Sequence, residues 1–323
     1  MKLIAEFCQN HNGDMSILKD MVWSATESGA THGKIQTIFA DDLSFRDEFE
    51  RGVVDSQGNI AAIKRPYQVE YDRLKGLELE YKQHDEFIGE CKKANLIPLT
   101  TAFNITSISH LKNMGWKSIK VASYDCGSLP LVDVLSDSFD ELIISTGATY
   151  DDEIKATASL LNKKKKQFSF LHCVTLYPTP LNEMHLNRMN FLREFTKSVG
   201  LSEHSKTSES GVKACLAALY LGADVIERHF TILSEDETRD GAVSITGKHI
   251  KEISIFNGLT KIEQEYYIKE KIPEFASMLG KERRILSSGE LSNRLYYRGR
   301  FCNKLNDKQV YNWESEANNM FIC

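Results

Sequence analysis

The chain has 323 residues, 41% of them hydrophobic, and carries 40 lysines and arginines against 45 aspartates and glutamates, a net charge of −5. That length fits one barrel or two smaller domains, and the acidic balance excludes general attraction to nucleic acid or an anionic membrane, leaving small molecules or a second copy as partners. The cysteines (Cys8, Cys91, Cys126, Cys173, Cys215, Cys302, Cys323) are odd in number and never form a Cys-x-x-Cys pair, polar residues Gln9 to Asn12 come too early for a signal peptide, and no apolar run reaches a membrane span, so a cytoplasmic protein with reduced thiols is expected.

Short apolar, β-branched runs recur, each followed by helical periodicity, which is the pattern of βα units on a parallel sheet. In chain order they predict strands at Leu3–Cys8, Gly33–Ile38, Leu96–Thr101, Ser118–Ala122, Glu141–Ser145, Phe168–Cys173, Ser198–Ser202 and Asp224–His229. Helices are predicted at Met15–Ser28, Glu86–Ala94, Ile105–Met114, Leu129–Leu135, Asp151–Leu161, Glu183–Phe195, Ser208–Leu221 and Lys248–Tyr266. Gly29, Gly115 and Gly222 stand where three of these helices end, as a left-handed cap favours. Eight such units predict an α/β fold, a closed (β/α)8 TIM barrel over residues 1–280, with 281–323 as a short C-terminal extension that packs on the barrel or on a second subunit.

The stretch Ala40 to Gln83 is long, charged and carries Phe45, Tyr67, Tyr71 and Tyr81, which predicts an enlarged second βα loop that either covers the active site or is a surface excursion. The four lysines Lys163 to Lys166 lie at a predicted helix end, where the helix dipole accounts for them without a ligand.

Catalytic groups of a barrel sit at the C-terminal ends of its strands. Those ends carry Glu6 with Asn10, His11 and Asn12; Lys34 and Gln36; Thr101; Lys120, Ser123 and Asp125; Ser145 and Thr146; His172, Thr175 and Tyr177; Ser202 and His204; and Glu227 and His229. Unpaired charge is costly to bury, so lysines at the ends of apolar strands, with hydroxyls around them, point to an anionic ligand, although either lysine alone fits a structural salt bridge. His204 and His229 follow strands that neighbour each other in a closed barrel and are placed to share one divalent ion, but their spacing is no metal signature and a lone histidine is more often core. His11, Asn12 and Gly13 also fit a first βα turn, His172 and Cys173 fit core positions, and Tyr177 beside Pro178 fits either loop packing or ligand contact.

The segments IAEFCQNHNGD (Ile4–Asp14), GKIQT (Gly33–Thr37), LTTAF (Leu99–Phe103), IKVASYD (Ile119–Asp125), IISTG (Ile143–Gly147), LHCVTLYPTP (Leu171–Pro180), VGLSEHS (Val199–Ser205) and GADVIERHFT (Gly222–Thr231) resemble the sialic acid synthase family. That family condenses phosphoenolpyruvate with an N-acetylated hexose or a related sugar. The resemblance implies that His204 and His229 hold a divalent metal, Mn2+ or Mg2+. It implies that Lys34, Thr101, Lys120, Ser123, Ser145, Tyr177 and Ser202 surround phosphoenolpyruvate, that Gln36 and Asp125 face the sugar, and that Glu6, Asp125 and Glu227 are catalytic. A homodimer acting on small molecules, with no nucleic acid or membrane partner, is expected by the same analogy.

The chain departs from the family pattern at Ala102, usually proline, at Tyr124, usually a small residue, at Thr175, asparagine in some members, and in extra residues near Lys206–Ser210. Asp125 stands where glutamate or aspartate occurs. Family members commonly carry a C-terminal antifreeze-like domain that supplies an arginine to the sugar's acyl group, whereas residues 282–323 are too few for one, so Arg239, Asp240 and Gly241 or the tail residues Arg294, Arg298 and Arg300 are alternative contacts. The expected reaction yields a nonulosonic acid and phosphate; a related barrel synthase using a sugar phosphate, a metal-dependent barrel aldolase or hydrolase, and a non-catalytic barrel that binds a partner are the competing readings.

Overall fold

A computed structural model describes residues 1–54, 60–306 and 308–321, so Cys323 lies outside the described residues. Eight strands close into one barrel: β1 (Lys2–Cys8), β2 (His32–Thr37), β3 (Ile97–Ala102), β4 (Ser118–Val121), β5 (Glu141–Ser145), β6 (Gln167–Cys173), β7 (Ser198–Glu203) and β8 (Val225–His229). Around the ring each strand is bonded to its sequence neighbours, and β1 closes against β8. Every expected strand is present within one residue at each end. The reason is physical: strands buried on both faces read as unbroken apolar runs, and the helices that cover them break those runs periodically.

The helices were harder to bound. Met15–Glu27 starts at Asp14, whose side chain accepts from Ser16 N at 2.6 Å. The helix expected over Glu183–Phe195 reduces to Arg188–Arg193, because Leu186 N and Asn187 N donate to Met278 O and Leu279 O instead of continuing a helix. The expected Ser208–Leu221 helix divides at Gly211, whose φ is +56°, into Thr207–Ser210 and Lys213–Tyr220. The expected Lys248–Tyr266 helix divides into Gly247–Asn257 and Lys261–Lys271, the second begun by the reciprocal cap of Thr260 and Glu263.

Internal contacts divide the chain into two compact units. The first comprises Met1–Gln36, Lys82–Thr100 and Phe168–Ile285. Within it β1 pairs with β2 and β8, and β7 with β6 and β8, all parallel. Gly200 on β7 is required there, since a Cβ would run into the backbone carbonyl of Val225 on β8.

The second unit comprises Thr37–Tyr81, Thr101–Gln167 and Leu286–Cys323. The long stretch after β2 is structured: it contains a helix at Glu48–Arg51, a hairpin of Val53–Val54 with Ile60–Ala62, and a helix at Tyr67–Lys75. The C-terminal segment, with a helix at Ser288–Tyr297 and a hairpin of Asn303–Leu305 with Lys308–Val310, packs on it. Phe301 joins Ile38, Ala40, Leu43 and Leu74 in one apolar cluster, and Tyr296 joins Phe49 and Ala62 in another. The lysine run is structural, with Lys164 paired to Asp137 at 2.8 Å and Lys166 donating to Phe139 O at 2.7 Å. Among the described residues no helix is long and apolar enough to cross a membrane.

Replacing Gly200 with alanine forces β7 away from β8 and is expected to destabilise the protein by about 1–3 kcal/mol, read from the urea midpoint.

Candidate active site at the strand ends

In the first unit, strand register assembles a buried charge cluster. Glu6 on β1 lies opposite Lys34 on β2 and His229 on β8, while Glu227 lies opposite Ser202 on β7. Side chains alternate along a strand, so Glu227 and His229 share a face. Lys34 Nζ forms ion pairs with Glu6 Oε2 and, at 3.1 Å, with Glu227 Oε2. Ser202 Oγ donates to Glu227 Oε1 at 2.8 Å, and Cys8 N donates to Glu6 Oε1 at 2.6 Å. These three charged side chains are almost wholly buried, at 2% exposure for Glu6, 3% for Lys34 and 5% for Glu227, which only mutual pairing makes tolerable. Burial works against the Lys34 ammonium, but Glu227 and Glu6 override it and hold its pKa above the ordinary value. Burial pushes the Glu6 carboxyl up, with Lys34 opposing.

A second group adjoins this one. His229 Nδ1 lies 3.4 Å from Asp240 Oδ2 without hydrogen-bond geometry, and Cys8 Sγ donates to the same oxygen at 2.9 Å. Ligand atoms of Cys8, His229 and Asp240 all lie within 4.8 Å of one another. Burial lowers the His229 pKa, and Asp240 and Glu6 more than reverse that, leaving it raised. Burial would raise the Asp240 carboxyl, and His229 holds it well below the usual range. His204 stands beside this group, its ring 5.2 Å from that of His229, with Nε2 at 3.2 Å from Tyr177 Oη and Nδ1 at 3.8 Å from Cys173 Sγ. Glu6, Glu227 and Asp240 bring three carboxylates beside the ammonium of Lys34 and the imidazole of His229, so that a neutral His229 leaves negative charge unmatched. That excess of negative charge, with an imidazole nitrogen that makes no hydrogen bond, fits a divalent cation.

In the second unit, β4 and β5 present another set. Lys120, opposite Thr101 in register, donates from Nζ to Ser145 Oγ at 2.6 Å and to Val121 O at 3.1 Å. Ser123 Oγ accepts from Gly147 N at 3.1 Å, and Thr149 Oγ1 donates to Ser123 O at 2.9 Å. Asp125 is buried, and Ser128 Oγ and Asn312 Nδ2 both donate to its Oδ1, each at 3.0 Å. Burial pushes the Asp125 carboxyl up to about 6 against the opposing effect of those two donors.

Of the residues expected at the site, Glu6, Lys34, Ser202 and Glu227 are brought together in one cluster, and His204, His229 and Tyr177 in the next. Tyr177 is half exposed, and Gln36, half-buried on β2, makes no side-chain hydrogen bond among the described residues. Thr101, Lys120, Ser123, Asp125 and Ser145 are buried in the second unit. His11 shapes the first turn, accepting from Gly13 N at 3.0 Å, and burial brings its pKa to about 4. His172 is a core residue bonded to Met184 O at 2.6 Å, with a pKa that burial lowers to about 3. The tail arginines are paired: Arg294 and Arg298 with Glu153 at 2.6 and 2.8 Å, and Arg300 with Glu70.

Three features escaped the sequence reading. Cys8 follows the apolar run of β1 and reads as core, yet it has φ of +49° and its thiol reaches Asp240. Glu203 and Arg228 form a fully buried ion pair, and Arg228 also donates to Ser205, Thr207 and Val243. The alternation of β7 and β8 was the available signal, since this pair occupies the face opposite to Ser202, His204, Glu227 and His229. Asn312, far along the chain, gave none.

Fold and site together define a (β/α)8-barrel protein with a buried, cation-fitting charge cluster at its strand ends. A family profile described as the NeuB family matches residues 21–266, and the chain belongs to that family. It is 32% identical over 261 residues to an N,N'-diacetyllegionaminic acid synthase of Campylobacter jejuni, covering 77% of this chain and 73% of that one. It is 25% identical over 304 residues to a pseudaminic acid synthase of the same species, covering 94% and 81%. Among solved structures, the N-acetylneuraminic acid (sialic acid) synthetase of Leptospira borgpetersenii shares the fold with a TM-score of 0.68 at 24% identity, over 91% of this chain and 90% of that one.

Replacing Lys34 with methionine leaves Glu6 and Glu227 facing each other, and a loss of about 3–5 kcal/mol is expected. The loss measured by urea denaturation is expected to be smaller at pH 5 than at pH 8, because the facing carboxylates then take up a proton in the folded state.

Proposed function

We infer that this chain condenses phosphoenolpyruvate with an N-acetylated hexose or a related sugar aldehyde, giving a nonulosonic acid and phosphate. Membership of the NeuB family supports the reaction class. The relative named as a synthase of N,N'-diacetyllegionaminic acid supports an acceptor bearing acetylated amino groups. The single observation that carries the reading is the gathering of the buried carboxylates of Glu6 and Glu227 and the half-buried carboxylate of Asp240 beside His229.

His229 and Asp240, with His204 and the Cys8 thiol beside them, are the residues to hold a divalent cation. An imidazole–carboxylate pair suits Mn2+ better than Mg2+, which takes oxygen ligands. A cation held there would supply Lewis-acid polarisation of an aldehyde oxygen.

The remaining chemistry falls to the chain. A bond forms between the methylene carbon of phosphoenolpyruvate and the aldehyde carbon, whose oxygen takes up a proton; water adds to the carbon that carries the phosphate and gives up a proton, and the bond from that carbon to the phosphate oxygen breaks to release phosphate. Lys120 with the hydroxyls of Ser145 and Ser123 forms the anion-binding group, with Thr101 beside Lys120 on β3. Lys34, matched by two carboxylates, holds Glu6 and Glu227 in place. Ser202 fixes Glu227, and Glu6 and Glu227 are the groups placed to hold and return protons. Tyr177, half exposed, holds His204 through its hydroxyl and its ring. Asp125 offers its carboxylate to the sugar.

Purified protein is expected to release phosphate from phosphoenolpyruvate only when an N-acetylated aldose and a divalent cation are both present, and a chelator should stop it. Release with sugar phosphates alone would redirect the reading to their synthases, and no release with any aldehyde would overturn it. Lys120→Ala is expected to raise the KM for phosphoenolpyruvate about tenfold or more; an unaltered saturation curve would remove Lys120 from the anion site.

A further inference from the structure

Asn312 lies in the C-terminal segment and is buried, and both of its amide hydrogens are committed. Its Nδ2 donates to Asp125 Oδ1 at 3.0 Å and to Phe103 O at 2.8 Å, while its Oδ1 accepts from Asn303 Nδ2 at 3.1 Å. Asn303, also buried, donates to Val310 O at 3.1 Å and accepts from Ile105 N at 2.7 Å and Thr106 N at 3.2 Å. The two asparagines thus clasp the loop after β3 to the turn after β4. Tyr297 of the same segment stacks on Tyr124, their rings 5.2 Å apart and 17° from parallel. Asp125 receives Ser128 and Asn312 on one oxygen, and among the described residues Oδ2 accepts no hydrogen bond. Two donors fixed on one oxygen determine where the other points.

We propose that Asn312 is a positioning residue for the acceptor sugar: by holding Asp125 Oδ1 it directs Oδ2 at a donor group of the sugar, so that the C-terminal segment sets acceptor affinity in cis. The inference rests on Asp125 facing the sugar, as proposed above. Arg298, itself paired with Glu153, is the charged group of the segment that acts on Asp125. Asn312, Ser128 and Arg298 all favour the ionised carboxylate, whereas burial opposes it. Removing the amide therefore moves the titration of Asp125 upward from about 6.

The test compares Asn312→Ala, Ser128→Ala and the exposed tail control Lys308→Ala in the full chain. Phosphate release is followed against acceptor sugar and against phosphoenolpyruvate, and the Asp125 carboxyl is titrated by 13C NMR. Asn312→Ala is expected to raise the KM for sugar about tenfold with that for phosphoenolpyruvate unchanged, and to move the acid limb of sugar affinity and the NMR midpoint to higher pH. Lys308→Ala should change neither. If Asn312→Ala does not fold, Ser128→Ala, which removes the second donor from the same oxygen, is expected to move both readouts in the same direction. A fall in kcat with both KM values and the Asp125 midpoint unchanged would make Asn312 merely structural and overturn the proposal. Should the unaltered protein release no phosphate with any sugar, the synthase reading fails, while the NMR midpoint still decides whether Asn312 holds Asp125.

Discussion

The ammonium of Lys34, buried between the carboxylates of Glu6 and Glu227, is the constraint on which the first unit is organised. An ion pair removed from water is tolerable only when geometry and extra hydrogen bonds compensate desolvation, and here three strands supply them in register. β1 brings Glu6, β2 brings Lys34 and β8 brings Glu227, while Ser202 on β7 and the Cys8 amide occupy the remaining carboxylate oxygens. A slip of one residue in any of these strands would turn its charge to the opposite face. The buried Glu203–Arg228 pair on the alternate face of β7 and β8 ties the same two strands together. Stability and site geometry therefore rest on the same side chains.

The second unit solves a different problem. Its β4 and β5 ends carry Lys120, Ser123, Ser145 and Asp125, and the loops that follow are held by the C-terminal segment through Asn303, Asn312, Arg294 and Arg298. Tyr124, a departure from the family pattern, is accounted for by its stacking on Tyr297. The tail arginines, considered as substrate contacts from the sequence, serve this anchoring through Glu153 and Glu70.

The barrel was legible because apolar runs of β1 through β8 alternate with periodic segments, and a closed parallel sheet admits little else. Most polar strand ends were legible for the same reason, since a charge terminating an apolar strand has few structural uses. Helix ends were not, because tertiary hydrogen bonds such as Leu186 N to Met278 O override local propensity. Cys8 escaped because a thiol in an apolar run is indistinguishable from core, and Asn312 because its partner Asp125 is 187 residues away in sequence. The helices and hairpin after β2 were hidden in a charged stretch whose apolar residues pack on one another and on Phe301 and Tyr296 of the C-terminal segment without helical or strand periodicity in the sequence.

The most direct measurement is anomalous diffraction at the manganese edge from crystals grown with Mn2+. A single strong peak within coordination distance of His229 and Asp240 is the expected result. A map with no peak there, or with peaks only away from the strand ends, would contradict the assignment of this charge cluster as the seat of the chemistry.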